Sequence, residues 1–247
     1  MMRDINTWDE SVYVNTGRML AKGELPPFSR NPLIGLFYAA LYLIFSGSPF
    51  WMLYSVSLGR FLLFGLMWLS AYLIARQFAR SMPPLAMAGP LLLFPVLVDI
   101  LLNPSDALFA ALSGFALWQV FGFYNDQDRS HLWKASLFLG LAALSRNDGL
   151  VLFVIFLFLA ALIVRSVHWD FRWLVPAVIP FAALVGGYLL LFAVVTGGFE
   201  MGTMQRSYVA FQQGQSVDYK REPDCQQKLL KCAVLKAQEL YGTGEEN

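Results

Sequence analysis

The chain has 247 residues, 57% of them hydrophobic and only 14% charged, with a mean hydropathy of +0.53; an ordinary soluble domain is about 45 to 50% apolar. That excess points to an integral membrane protein whose main solvent is lipid. The net charge is +1 and no basic block of five or more residues occurs, which argues against a nucleic-acid partner and against an electrostatic surface anchor.

The first residues, MMRDINTWDES, contain neither the apolar run of a signal peptide nor a spanning helix. In TWDESVYVNTGRMLAKGE, Thr7 and Glu10 have the S/T-x-x-E spacing of a capping box. This predicts a helix over 7–21 that stops at Gly23. Glu10 is explained by the cap. Asp9 is not needed for it, and is either a dipole-stabilising acid or a functional one. In SRNPL, Arg30 precedes a proline suited to a first helical turn. The run PLIGLFYAALYLIF is too short to cross a bilayer core of about 30 Å, and with Tyr38 and Tyr42 it suits a helix lying at the membrane interface.

Spans are predicted at 51–75, 85–102, 106–124, 130–145, 149–165 and 173–195. The run 130–145 is short, so it must tilt, thin the bilayer or be re-entrant. Fusing 133–164 into one helix would place SRNDG at mid-membrane, where each charge costs at least about 2.5 to 3.5 kcal/mol. Two helices joined by a polar turn avoid that cost. The expected organisation is a first loop over 1–50 with interfacial helices, an all-α polytopic bundle of about six helices over 51–195, and an extracytoplasmic segment from 196 to 247 with a helix over 223–240.

Six spans put the loops around Arg76, Arg80, Arg129, Lys134, Arg165 and Arg172 on one side, which the positive-inside rule makes cytoplasmic. Asp9, Glu10, Arg30, Asp106, Arg146 and Asp148 then share the exported face, with Arg60 and Asp99 less than three turns inside it. Each has an ordinary explanation. Arg30 can snorkel, Asp106 can stabilise a helix start, and Arg146 and Asp148 can pair in their turn, for about 0 to 1 kcal/mol. Arg60 stands inside an apolar run, where a charge needs a cavity or a partner. Cys225 and Cys232 fit either two free thiols or a disulfide across a bent QQKLL segment. His131 and His168 are far apart in sequence, and no CxxC, GxGxxG, Walker loop, GxSxG or HExxH occurs.

The stretch WDESVYVNTGRMLAKGELPPFSRNPLIGLFYA resembles the first extracytoplasmic loop of the GT-C superfamily of membrane glycosyltransferases, which includes protein O-mannosyltransferases and aminoarabinose transferases. SLGRFLLFGLMWLSAYLIARQF is similar to its arginine-led second helix, NPSDALFAALSGFALW to its acid-led fourth, and LGLAALSRNDGLVL to the basic turn between its fifth and sixth. The resemblance covers residues 8–195. It implies a polyprenyl phosphate sugar as donor, inversion at the anomeric carbon, and a glycan, lipid or protein acceptor. Asp9 is implied as the base that deprotonates the acceptor hydroxyl, with Glu10 in support. Arg30, Arg60 and Arg146 are implied to neutralise the departing phosphate, Asp106 to shape the sugar pocket or position a side chain, and Asp148 to be among the substrate-binding residues. No cofactor is certain, and a divalent metal is compatible with the family. Ser29 stands where aminoarabinose-type members carry an acid before the basic residue. The family's first span precedes the acidic pair, so the resemblance implies a span upstream of Met1 and a continuation after YGTGEEN. Two other classes fit the charges: a transporter or flippase of a lipid-linked substrate, and a membrane scaffold.

Overall fold

A computed structural model describes residues 2–24, 31–78, 103–167 and 170–196, all within the first of the chain's two units, Met1–Gly202. Arg30, Asp99, His168, both cysteines, the expected span at 85–102 and the expected helix at 223–240 lie outside the described residues. Among the described residues every regular element is helical: α1 (Met2–Ala21), α2 (Pro32–Phe45), α3 (Trp51–Phe78), α4 (Pro104–Asp126), α5 (Arg129–Ser145), α6 (Asp148–Val167), a short 3-10 turn (Phe171–Leu174) and α7 (Val175–Thr196).

Among the described residues four stretches are long and apolar enough to cross a membrane: Trp51–Phe78, Pro104–Asp126, Asp148–Arg165 and Arg172–Val195. Their outer faces carry large apolar side chains such as Phe61 on α3 and Val151, Val154 and Phe158 on α6. An exposed apolar surface of this kind suits lipid and would be a liability in water. These features mark a membrane protein.

The short run expected at 130–145 is α5, a separate helix of 17 residues. It is the most enclosed element, because Ala135, Ser136, Gly140, Ala142 and Ala143 let its neighbours approach closely. One side packs along α4. A bond between His131 Nδ1 and Gln119 Oε1 (2.7 Å) fixes one end of that pair, and Ser145 Oγ donating to the Ser105 carbonyl (3.0 Å) fixes the other. The opposite side meets α7, where the Phe181 N–H, beside Pro180, donates to Ser136 Oγ (3.1 Å). At its start Asp128 caps the helix. The Ser130 hydroxyl and then its N–H hold the Asp128 carboxyl below its usual value of 3.8. The stabilisation is therefore full above that pH and fades as pH falls through the lower folded value.

α5 and α6 are distinct helices that meet at Arg146 and Asn147, so the charges of SRND sit at a bundle end, as the cost of burying them requires. The corner is tight. A Cβ on Gly149 would lie 2.4 Å from the Ala143 backbone nitrogen. Gly149→Ala is therefore expected to destabilise the protein by about 1–3 kcal/mol, read as a lower midpoint of thermal unfolding in detergent; an unchanged midpoint would contradict the close crossing.

α1 departs from its predicted start. It begins at Met2, so Thr7 and Glu10 lie inside the helix and not at its cap. Nothing between Met2 and Thr7 is proline or glycine, so nothing stops helix propagation there. Its end agrees with expectation: α1 stops at Ala21, and Gly23 takes the left-handed conformation with φ +76. Tyr38, read from sequence as a boundary aromatic, is instead fully enclosed. Glycines make room for it on both sides. A Cβ on Gly17 of α1 would stand 2.6 Å from the Tyr38 backbone carbon, and one on Gly59 of α3 would stand 3.2 Å from its ring.

Candidate functional site

A polar network occupies the bundle end formed by the starts of α4 and α6 and the end of α5. The opposite end is tied separately, by Asn125 donating to Gln77 (3.0 Å) and by Arg129 lying over the Trp173 ring at 3.8 Å. α4 opens on Asn103 and Pro104, with proline at a position whose N–H would have no partner. Asn103 does not cap the helix with its side chain. Its Nδ2 donates to Asp106 Oδ2 (2.9 Å), and its Oδ1 accepts from Ser105 Oγ (3.0 Å). Ser105 Oγ in turn accepts from Tyr13 on α1 (3.3 Å). The N-terminal helix is thereby joined to the start of α4.

Arg146 is the centre of the network. It follows α5 in an extended conformation, which swings its guanidinium toward the starts of α4 and α6. Nε and Nη2 both donate to Asp148 Oδ2 at 3.0 Å. Nη1 pairs with Asp106 Oδ1, an oxygen that is itself buried. Three of the five guanidinium N–H groups are thus held by carboxylates, and two remain without an acceptor among the described residues. The side chain is 39% exposed. Each acid also lies in the first turn of a helix, where the helix dipole favours negative charge.

Asn31, immediately before α2, enters from another direction. Its Nδ2 donates to the Ala143 carbonyl (3.3 Å) and to Asn147 Oδ1 (3.1 Å), tying the chain next to Arg30 to the α5–α6 turn. Of the residues singled out from sequence, Asp106, Arg146 and Asp148 are brought together. Asp9 and Glu10 are in α1, with Asp9 four residues before Tyr13, one helical turn away; their side chains lie outside the described ones. Arg60 is half-buried in α3, about 14 Å from Trp51 by helical rise.

The charge balance bears on metal binding. Asp106 and Asp148 both face the Arg146 guanidinium, whose charge opposes a cation between them, so these residues do not fit a divalent metal. No group of three or more His, Cys, Asp or Glu among the described residues is arranged for one.

Comparison of the chain with protein-family models, curated proteins and solved structures finds no match. Function therefore has to be read from the residues. Sequence reasoning missed Tyr13, Ser105, Ser145, Asn31, Asn103 and Asn147. A signal was present for the asparagines: SRNPL, LNPSD and SRND each place one at a helix start, but there the expected partner is the helix's own backbone.

Proposed function

We propose that this chain belongs to a multi-pass membrane glycosyltransferase of GT-C type. It transfers a hexosyl or pentosyl group from a polyprenyl phosphate to an acceptor hydroxyl of a glycan, lipid or protein, with inversion. The observation that carries the reading is Arg146, clamped by Asp106 and Asp148 with two N–H donors that no described residue accepts, at the bundle end to which Tyr13 fastens α1. A guanidinium already held in place pays little entropy on meeting a phosphate oxygen and matches its geometry.

In the proposed reaction Asp9 takes the proton from the acceptor oxygen as that oxygen bonds to the anomeric carbon. The bond from that carbon to the phosphate oxygen breaks on the opposite face, through an oxocarbenium-like state. The departing polyprenyl phosphate carries the electron pair, and Arg146, with Arg30 and Arg60, stabilises its charge. Asp106 and Asp148 orient Arg146. The site faces the extracytoplasmic side, α1 and α2 lie along the interface, and the loops bearing Arg76, Arg129 and Arg172 are cytoplasmic, in keeping with the positive-inside rule.

The test is transfer itself. Membranes containing the chain, supplied with polyprenyl phosphates carrying radiolabelled mannose, glucose, galactose or arabinose, are expected to move label into a lipid, glycan or protein acceptor. Movement of intact donor across vesicles without covalent transfer would replace this reading by the transporter one. Absence of both would leave the scaffold.

A further inference from the structure

Three helices here begin after an asparagine, and such a residue normally turns its side-chain oxygen onto its own helix, satisfying an N–H of the first turn. Asn31 makes no side-chain cap bond. Among the described residues the one side-chain bond of Asn147, which directly precedes α6, is to Asn31. Two helix starts therefore forgo the local stabilisation of a side-chain cap, and both asparagines turn to each other across 116 residues of chain. Departures of this kind from local preference are expected at functional sites.

The orientation of the two amides follows from the network. The Ala143 carbonyl can only accept, so the Asn31 atom facing it is the NH2 group. Asn31 Nδ2 then donates with both hydrogens, to Ala143 and to Asn147, and the Asn147 atom it meets must be the carbonyl oxygen. The groups left over are Asn31 Oδ1, an acceptor, and Asn147 Nδ2, with two donors. Both side chains are partly exposed. Asn147 lies between Arg146 and Asp148 in the chain, so this neutral acceptor and donor pair belongs to the same α5–α6 turn as the guanidinium assigned to phosphate.

A paired acceptor and donor without charge suits a hydroxyl group, which both donates and accepts, and two such groups side by side suit a diol. A phosphate offers only acceptors at neutral pH and would leave Asn31 Oδ1 unmatched. We propose that Asn31 and Asn147 form a hydroxyl-reading pair that recognises a diol on the transferred sugar while Arg146 holds its phosphate. The inference rests on the glycosyltransferase reading and adds to it a specificity determinant.

The experiment compares two ligands on the purified chain in detergent: polyprenyl phosphate, and the same lipid phosphate carrying mannose, glucose, galactose or arabinose. For wild type, the best sugar-bearing lipid is expected to bind about tenfold more tightly than the bare phosphate, the size of one or two net hydrogen bonds. In Asn147→Ala that advantage disappears while the affinity for bare phosphate stays within about twofold. Asn147→Asp keeps the oxygen that Asn31 holds and removes only the two free donors. Its added charge weakens both ligands together, so the ratio still reports the sugar, and it too is expected to lose the advantage. An advantage retained in both variants, or equal binding of the two lipids by wild type, overturns the hydroxyl-reading pair alone. Failure of wild type to bind either lipid overturns the glycosyltransferase reading, and the pair with it.

Discussion

Asp9→Asn is expected to lower sugar transfer by about 10²- to 10⁴-fold, the range over which a positioned general base contributes, with no loss of protein or of thermal stability. Asparagine keeps the size of the side chain and removes the basic oxygen. The helix that carries it is anchored elsewhere. Val14 is buried against the neighbouring helices, Gly17 crosses the Tyr38 backbone, and the Tyr13 hydroxyl is bonded to Ser105. None of those contacts involves position 9. The expected signature is therefore a fall in kcat with donor binding retained, because the base acts on the acceptor proton and not on the phosphate. Equal transfer by the variant would remove Asp9 as base; loss of donor binding would make it a binding residue.

Arg146→Met is expected to be the most damaging single change in the polar network. It leaves Asp106, whose Oδ1 is buried, without its cation, and releases Asp148. Loss of charge-assisted bonds at a half-buried site costs about 1.5–3 kcal/mol, less than for a fully enclosed pair because the guanidinium is 39% exposed and water can partly replace it. Affinity for polyprenyl phosphate should fall by about tenfold or more, since the guanidinium fork is removed. The two consequences separate in the double variant. Arg146→Met with Asp106→Asn removes the stranded charge, so thermal stability should recover in part, whereas phosphate binding should not. Recovery of both would mean that Arg146 is a structural ion-pair residue only. Arg146→Lys is expected to be intermediate in stability, because one ammonium lacks the planar fork that reaches two carboxylates from one position.

Much of this molecule is legible as pattern. The break between α5 and α6 follows from the cost of placing SRND inside lipid, and Asp106 falls in the first turn after Asn103 and Pro104 as expected. The stop of α1 follows from Gly23, which alone at that point takes a left-handed backbone without strain. Where the reading failed, a local signal met a stronger competitor. The Thr7–Glu10 spacing fits a capping box, yet a helix continues through it, because a cap signal marks a start only where something prevents earlier turns from forming. Tyr38 has the amphipathic character of an interfacial aromatic, yet it is enclosed, with Gly17 of one helix against its backbone and Gly59 of another against its ring. All three asparagines carry the capping signal, yet Asn31 and Asn147 turn to each other and Asn103 bonds the side chains of Ser105 and Asp106 in its own helix instead of the backbone.

The sequence by itself determined the solvent, the helical class, the break between α5 and α6 and the stop of α1, because hydropathy, glycine and the cost of a charge in lipid act over a few neighbouring residues. It also nominated Asp106, Arg146 and Asp148 as one face. Only the tertiary structure decided that Arg146 lies between the two acids, that Tyr13 reaches Ser105 and that Asn31 reaches Asn147. Those pairs join residues as much as 116 positions apart, and which of several competent partners a donor meets is settled by how helices pack, a property that no local window of sequence contains.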